Sequence, residues 1–164
     1  MLGRMTRLLL VKAASLGAAA VLLSSCSAIS ANIPADSEGT LSRVEDGTLV
    51  VGVSEHPPWT NISDTGEHSG SEVDLIRGFA EHVNAEIEWQ QAPESVLAER
   101  IKNGEVDVVI GGLTDSSPWS SHMALTRPYA EVDGEKMVMG TPLGENAFLV
   151  ELERHLAEEF GETR

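Results

Sequence analysis

Short apolar runs along the chain alternate with stretches in which apolar residues recur at helical spacing. The runs Thr48–Val53, Glu86–Trp89 and Val106–Ile110 predict strands, and the last has the β-branched composition of a strand buried on both faces. Helical spacing predicts helices over residues 71–83 and 95–103. This order of strands and helices predicts an α/β fold with a mostly parallel sheet flanked by helices.

The first predicted helix carries signals for its start and for its buried face. Ser71 and Asp74 have the spacing of a capping box, and the carboxylates of Glu72 and Asp74 favour the helix dipole. The helix is amphipathic, and its apolar face consists of Val73, Leu75, Ile76, Phe79, Ala80 and Val83.

The strand that ends at Ile110 is followed by two glycines and then by polar residues. Gly111 and Gly112 let the backbone approach a bound molecule, and Thr114 and Asp115 add a hydroxyl and a carboxylate. Open α/β sheets bind ligands at this end of their strands. First-turn helix side chains point toward the same end, so Glu72 is a candidate ligand contact as well as a dipole partner.

The loop after the first predicted strand contains two consecutive prolines. Pro57 and Pro58 fix φ on either side of the bend, so we expect the loop to hold His56 and Trp59 in place.

Three motifs along the chain resemble one protein family. They are GGLT with TRPY (residues 111–114 and 126–129), VGVSEHPPW (residues 51–59) and GSEVDLIRGFAEHV (residues 70–83). In order and spacing they are similar to the signature of extracytoplasmic solute-binding proteins, which deliver amino acids and similar small molecules to ABC importers. The resemblance implies the first lobe of a type 2 periplasmic-binding-protein-like fold.

The resemblance also implies roles for individual residues. In the family an aromatic residue of the first loop stacks on the ligand, and His56 occupies its place here, with Trp59 at the end of the motif. For Trp59 a packing role in the core is the alternative. Gly112 and Thr114 match the family pattern, whereas Trp119 stands where an arginine usually clamps an α-carboxylate. This exchange argues against a plain amino acid, although an indole stacks on apolar or cationic solutes.

Past Tyr129 the sequence departs from the family pattern, because the second lobe is skipped. Residues 136–160 look like the return strand and closing helix of the first lobe, with a predicted Arg154–Glu158 pair and an apolar stripe of Leu149, Leu152, Leu156 and Phe160. The alternative is that residues 136–140 are the outgoing crossover strand of a truncated protein. A single lobe would bind solute weakly, with a Kd on the order of millimolar, unless a second copy or the transporter covers the open half-cleft.

The sequence contains no pattern typical of an enzyme or a metalloprotein. Ser54, Glu55 and His56 are adjacent in sequence, but catalytic triads are recognised by spatial geometry. The histidines have no paired ligand spacing, and phosphate-binding and nucleophile-elbow motifs are absent. We therefore expect no catalysis, no metal and no cofactor.

The charge balance is strongly acidic. The 164 residues include 26 acidic and 11 basic side chains, and all the acids follow Cys26. After Cys26 the balance is 8 basic minus 26 acidic, or −18. Such a surface repels phosphate backbones, so nucleic acid is excluded as a partner.

The N-terminus has the features of an export signal. A basic flank over Met1–Lys12 precedes an apolar run over Ala13–Leu23 that is too short to span a membrane. The following LSSC resembles a bacterial lipobox that ends at Cys26, which is the chain's single cysteine. An ordinary signal peptide is the alternative. We predict a signal peptide over residues 1–25, a flexible linker over 26–45 and the α/β domain over 46–164.

The resemblance and the targeting segment imply an extracytoplasmic lipoprotein of the bacterial envelope. Its expected function is to bind a small polar or amino-acid-like solute for an ABC importer, with a permease and the membrane as partners. The alternative is a membrane-tethered interaction or sensor module that keeps the fold but binds no solute.

Overall fold

The strand β1 (Thr48–Val53) is an interior strand of the protein's main sheet. In the computed structural model, which describes residues 35–160, the helices are α1 (Thr40–Val44), α2 (Ser71–His82), α3 (Glu94–Lys102) and α4 (Asn146–Phe160). The further strands are β2 (Asn61–Ile62), β3 (His68–Ser69), β4 (Glu86–Gln91), β5 (Val108–Ile110), β6 (Ala124–Leu125), β7 (Ala130–Val132), β8 (Glu135–Met137) and β9 (Gly140–Thr141).

The main sheet has five strands in the order β4-β1-β5-β9-β6. β1 runs parallel to β4, with Val53 opposite Gln91, and parallel to β5, with Val53 opposite Ile110. β9 pairs antiparallel with β5 and β6. The α/β fold with a mostly parallel sheet is therefore confirmed. The carboxyl ends of β1, β4 and β5 meet at one edge of the sheet, which we call the site edge.

Helices cover both faces of this sheet because successive strand residues point to opposite sides. Val51 and Val53 of β1 point into a core with α2 and α4, whereas Val50 packs with α3 on the other face. We call these the α2–α4 core and the α3 core. In the α2–α4 core, the rings of Phe79 and Phe148 pack edge to face at 5.7 Å. Burial of each such ring contributes about 1.5–3 kcal/mol.

The chain returns to the sheet after Tyr129, as the return interpretation predicts. β7 and β8 form an antiparallel hairpin, and β9 then pairs with β5 through Val109 and Gly140. The closing helix α4 packs on the sheet. Its buried residues match the predicted apolar stripe only in part. Phe148, Leu152, His155 and Leu156 are buried, whereas Leu149 is half-buried and Phe160 is 48% exposed.

The folded body includes part of the segment that the sequence predicts to be a linker. α1 lies within that segment, and the carboxylate of Asp36 accepts hydrogen bonds from the N–H groups of Ala147 and Phe148, at 2.7 and 3.0 Å. Glu145 in turn accepts bonds from Glu38 N–H and Thr40 N–H, both at 2.8 Å. These carboxylates bind N–H groups that helices leave free at their N-termini, which ties the segment to α4.

Two local predictions are also corrected. Ser71 does not cap α2, because the helix begins at Ser71 itself and its N-cap is Gly70, which has no side chain to accept a bond. Arg154 pairs with Glu151 three residues earlier instead of with Glu158. The Arg154 charge is thus paired at i−3 on the helix instead of at i+4.

The targeting predictions concern a part of the chain that the structure does not describe. Cys26 and the predicted signal peptide lie outside residues 35–160. Within those residues, no helix is long and apolar enough to cross a membrane.

Candidate functional site

The glycine pair after β5 makes a bend against the loop that follows β1. Gly111 has φ +144° and Gly112 has φ +71°, and both values lie in the region that favours glycine. A Cβ on Gly111 would lie 2.0 Å from the Oγ of Ser54, so a side chain does not fit there. The N–H of Ser54 donates to the carbonyl of Ile110 at 3.0 Å, which joins the loop to the strand.

Gly112 brings the bend into contact with the two aromatic candidates of the loop. A Cβ on Gly112 would lie 2.9 Å from Cδ1 of Trp59 and 3.0 Å from Cγ of His56. His56 is exposed, and Trp59 is half-buried against the α2–α4 core. The structure therefore gathers three of the predicted site residues at the site edge. Trp59 therefore has a packing role, and its contact with a ligand stays a prediction.

Hydrogen bonds within the loop hold His56 and Trp59 in this position. The N–H of His56 donates to the carbonyl and to the Oγ1 of Thr60, at 3.0 and 2.9 Å. The N–H of Trp59 donates to the carbonyl of His56 at 3.0 Å. Thr60 is fully buried, and its hydroxyl donates to the Ser54 carbonyl. The loop is therefore fixed by its own polar groups, and the Pro57–Pro58 peptide bond within it is cis.

Glu72 lies beneath the bend, with 0% of its surface exposed. Its Oε2 accepts hydrogen bonds from Gly111 N–H and Gly112 N–H, at 2.8 and 3.0 Å, and its Oε1 accepts one from the Tyr129 hydroxyl at 2.6 Å. Burial raises the pKa of Glu72, while the three donors and the nearby His56 oppose that rise. The carboxylate thus faces inward, and its predicted contact with a ligand stays a prediction.

Thr114 and Asp115 follow the bend and lie along β8. Thr114 forms a bridge with Met137, and Asp115 N–H donates to the carbonyl of Lys136 at 3.0 Å. The Thr114 hydroxyl lies 2.8 Å from the hydroxyl of Ser116. Thr114 is half-buried and Asp115 is exposed. Both side chains are near the surface, and their contact with a solute stays a prediction.

Trp119 packs in a different part of the protein from Trp59. Its indole N–H donates to the carboxylate of Glu94 at the start of α3, and its ring meets His122 edge to face at 5.7 Å. It packs against the α3 core, whereas Trp59 packs against the α2–α4 core. The indole that replaces the family's arginine is thus held by its own partners, and its role in binding stays a prediction.

Sequence reasoning missed two residues that organise this edge. Tyr129 belongs to the TRPY motif, but the sequence predicts no function for it. In the structure its hydroxyl donates a hydrogen bond to Glu72. Burial and the Glu72 charge raise the pKa of Tyr129 far above its ordinary range, so this hydroxyl keeps its proton. The structural role of Thr60 could not be predicted from the sequence, because a single buried threonine in a polar loop belongs to no periodic pattern.

Other features of the described region do not suggest metal chemistry. Among residues 35–160, no group of three or more His, Cys, Asp or Glu side chains is arranged to hold a metal ion. A cavity of about 520 Å³ lies at the opposite edge of the sheet, and its lining includes Arg43, Lys102, Asp107 and His122. Arg43 is ion-paired with the buried Asp107. The strongest charge pair of this cavity is therefore satisfied within the fold.

The chain is similar in sequence to several known proteins. The chain is 30% identical over 122 residues to the probable histidine-binding protein of Neisseria gonorrhoeae, a match that covers 73% of this chain and 43% of that protein. It therefore spans less than half of that relative. It is also 32% identical over 108 residues to the membrane-bound lytic murein transglycosylase F of Vibrio cholerae, covering 65% of this chain but only 19% of the enzyme. A match to so small a part does not carry the enzyme's activity.

The fold has solved counterparts. The arginine-bound form of domain 1 of TmArgBP, the ArgBP of T. maritima, superposes with a TM-score of 0.65 at 23% identity. The match covers 71% of this chain and 97% of that domain, which confirms the single-lobe architecture over the matched residues.

Residues 49–145 match the family described as bacterial extracellular solute-binding proteins, family 3. The match includes the loop with His56 and Trp59, the first turn of α2 and the glycine bend. The description of this family names solute-binding proteins that act outside the cytoplasm. The chain belongs to the bacterial extracellular solute-binding proteins of family 3.

Proposed function

We propose that the protein is the extracytoplasmic binding component of an ABC-type importer and that it binds a small polar or amino-acid-like solute at the site edge. One observation carries the proposal: Gly112, His56 and Trp59 come together where the parallel strands end. Open α/β sheets bind ligands at this position. An aromatic pair beside a side-chain-free bend offers a flat, partly apolar surface for a small solute.

Charge favours a cationic solute over an anionic one. After Cys26 the sequence carries 8 basic and 26 acidic residues, a balance of −18, and such a field attracts cations. Trp119 in place of an arginine removes a clamp for carboxylates. The domain solved in an arginine-bound form agrees with a cationic side chain on the solute, which makes L-arginine a suitable probe.

A thermal-shift screen of the purified protein tests solute binding. Amino acids, amines and sugars are added in turn, and a solute that binds the native state raises Tm. With the best solute, His56→Ala should reduce the shift because the imidazole beside Gly112 is lost. His82→Ala is the matched control, because His82 is a partly exposed histidine at the other end of α2, paired with Glu151. An equal loss in both variants would contradict binding at the site edge.

The screen also separates the two classes of function. If no solute raises Tm, solute binding is contradicted and the membrane-tethered interaction or sensor module is favoured. If a solute does bind, the protein should also be tested with the permease and the solute in membrane vesicles. Uptake that depends on the added protein supports the importer role, and uptake that does not depend on it argues against that role.

We also propose that Cys26 is lipidated and tethers the protein to the bacterial envelope. The support is the LSSC pattern after an apolar run of signal-peptide length. Cys26→Ser should move the protein from the membrane fraction to the soluble fraction and remove labelling by a fatty-acid analogue. Retention of the variant at the membrane would contradict the lipid anchor.

His56, Pro57 and Pro58 are exposed at the site edge, and we propose that a partner covers this surface. The candidates are a second copy of the chain and the permease. Sedimentation of the protein with and without the best solute distinguishes them. A solute-dependent dimer supports the second copy, and a monomer at all concentrations excludes it.

A further inference from the structure

The buried carboxylate of Glu72 connects three elements that meet at the site edge. It belongs to the first turn of α2, it accepts hydrogen bonds from both glycines of the bend, and it accepts a third from Tyr129 just before β7. The backbone N–H of Glu72 also donates to the carbonyl of Trp59 at 3.1 Å. One residue thus contacts the helix, the bend, the loop and the return segment.

The two glycine N–H groups need a partner at this place. An unpaired N–H that is buried costs about 1–3 kcal/mol, and consecutive N–H groups that point the same way form a concave site for an anion. The Glu72 carboxylate fills that site from the inside. The two N–H groups are therefore not available to a solute.

We propose that Glu72 is a positioning residue of the site edge: its carboxylate fixes the direction of the Gly111–Gly112 bend, and through Gly112 it sets the positions of His56 and Trp59. This proposal extends the proposed function. Only its expected effect on solute affinity rests on that function. Gly112 connects Glu72 directly to the two rings, because it lies against both of them at distances that leave no space for a methyl group. A rotated bend would push into them or leave a gap beneath them.

The test compares Glu72→Gln with two controls. In Glu72→Gln the amide keeps the shape and can still accept from the glycines and donate to the Tyr129 oxygen, but the charge is lost. Tyr129→Phe removes the third hydrogen bond and leaves the glycine contacts in place. Asp74→Asn changes an exposed carboxylate in the same turn, which pairs with Arg77. All three are made in the full chain.

The first measurement needs no solute. NMR spectra should show the Gly111 and Gly112 amide protons moving upfield in Glu72→Gln, with exchange about tenfold faster, because bonds to a charged acceptor are stronger than bonds to a neutral one. Tyr129→Phe should lower Tm but leave these amides near their wild-type positions, and Asp74→Asn should change neither. Wild-type amide shifts in Glu72→Gln, or equal changes in Tyr129→Phe, would overturn the positioning role and leave a purely structural one.

The second measurement uses L-arginine as the probe. Its affinity should fall about tenfold in Glu72→Gln and stay within about twofold of wild type in Asp74→Asn. An unchanged affinity in Glu72→Gln would overturn the link from the bend to the binding surface. Failure of the wild type to bind L-arginine would count against the proposed function with this solute, while the amide measurement would still decide the positioning role.

Discussion

The replacement of Gly112 by alanine tests how closely the bend and the loop approach each other. The new Cβ would lie 2.9 Å from Cδ1 of Trp59 and 3.0 Å from Cγ of His56, against about 3.5–4.0 Å for unstrained carbon contacts. The residue would also keep φ near +71°, which an L side chain disfavours. Both effects act in the folded state, so the variant should be less stable and its two rings should be displaced.

The magnitude follows from two terms. A left-handed backbone costs a non-glycine residue about 1–2 kcal/mol, and forcing extra volume into a packed site costs about 1–3 kcal/mol. We expect Gly112→Ala to lose about 2–5 kcal/mol of unfolding free energy. Gly104→Ala is the matched control, because Gly104 has φ +73° and nothing within 4 Å of its Cβ position. It should lose only the backbone term, about 1–2 kcal/mol.

Urea denaturation measures both variants. The additional loss of about 1–3 kcal/mol should separate their midpoints by on the order of 1 M, since m for a small domain is about 1–3 kcal/mol/M. Solute binding should weaken in Gly112→Ala and stay unchanged in Gly104→Ala. Equal destabilisation of the two variants, with equal solute binding, would refute the close contact of Gly112 with the rings.

Three further outcomes follow from the side chains that hold the sheet together. Asp36→Ala should lower the unfolding free energy by about 1–2 kcal/mol, because α4 loses its capping carboxylate. An unchanged urea midpoint would contradict the capping role and would favour a linker at residue 36. Asp107→Ala should cost about 1–3 kcal/mol because Val50 N–H loses its acceptor and the half-exposed Arg43 loses its ion pair, while Asp74→Ala at an exposed pair should cost under about 1 kcal/mol. Burial opposes ionisation of Glu145, but backbone N–H donors outweigh it and lower its pKa, so its stabilisation is present above the ordinary glutamate pKa and is lost as pH falls. The urea midpoint of Glu145→Gln should therefore change less than that of wild type between about pH 6 and about pH 3, and parallel profiles would contradict this.

Periodicity and composition were sufficient to predict the three parallel strands of the sheet. The apolar runs at Thr48–Val53 and Val106–Ile110 are strands, or end in strands, because residues buried on both faces leave a continuous β-branched signal. The return of the chain after Tyr129 was also predictable, since α4 is amphipathic along most of its length. These features depend on neighbours in sequence, which a single chain displays.

Contacts between residues that are distant in sequence could not be predicted. Asp36 lies 111 residues before its partner Ala147, so a polar segment without periodicity was interpreted as a linker. Glu72 has the spacing of a dipole partner or a ligand contact, and only the fold reveals that its carboxylate is enclosed by the bend and Tyr129. Trp119 could be assigned to the place of an arginine, but its partner Glu94 depends on how α3 lies against the following loop.

The central claim is that a solute binds where the bend, the loop and the start of α2 meet. The most direct measurement is a map of amide chemical-shift changes as L-arginine is titrated into the labelled protein. The account predicts that the largest changes occur at His56, Trp59, Gly112 and Thr114. Changes confined to the opposite edge, around Arg43 and Lys102, or no changes together with no binding of any solute in the thermal-shift screen, would contradict it.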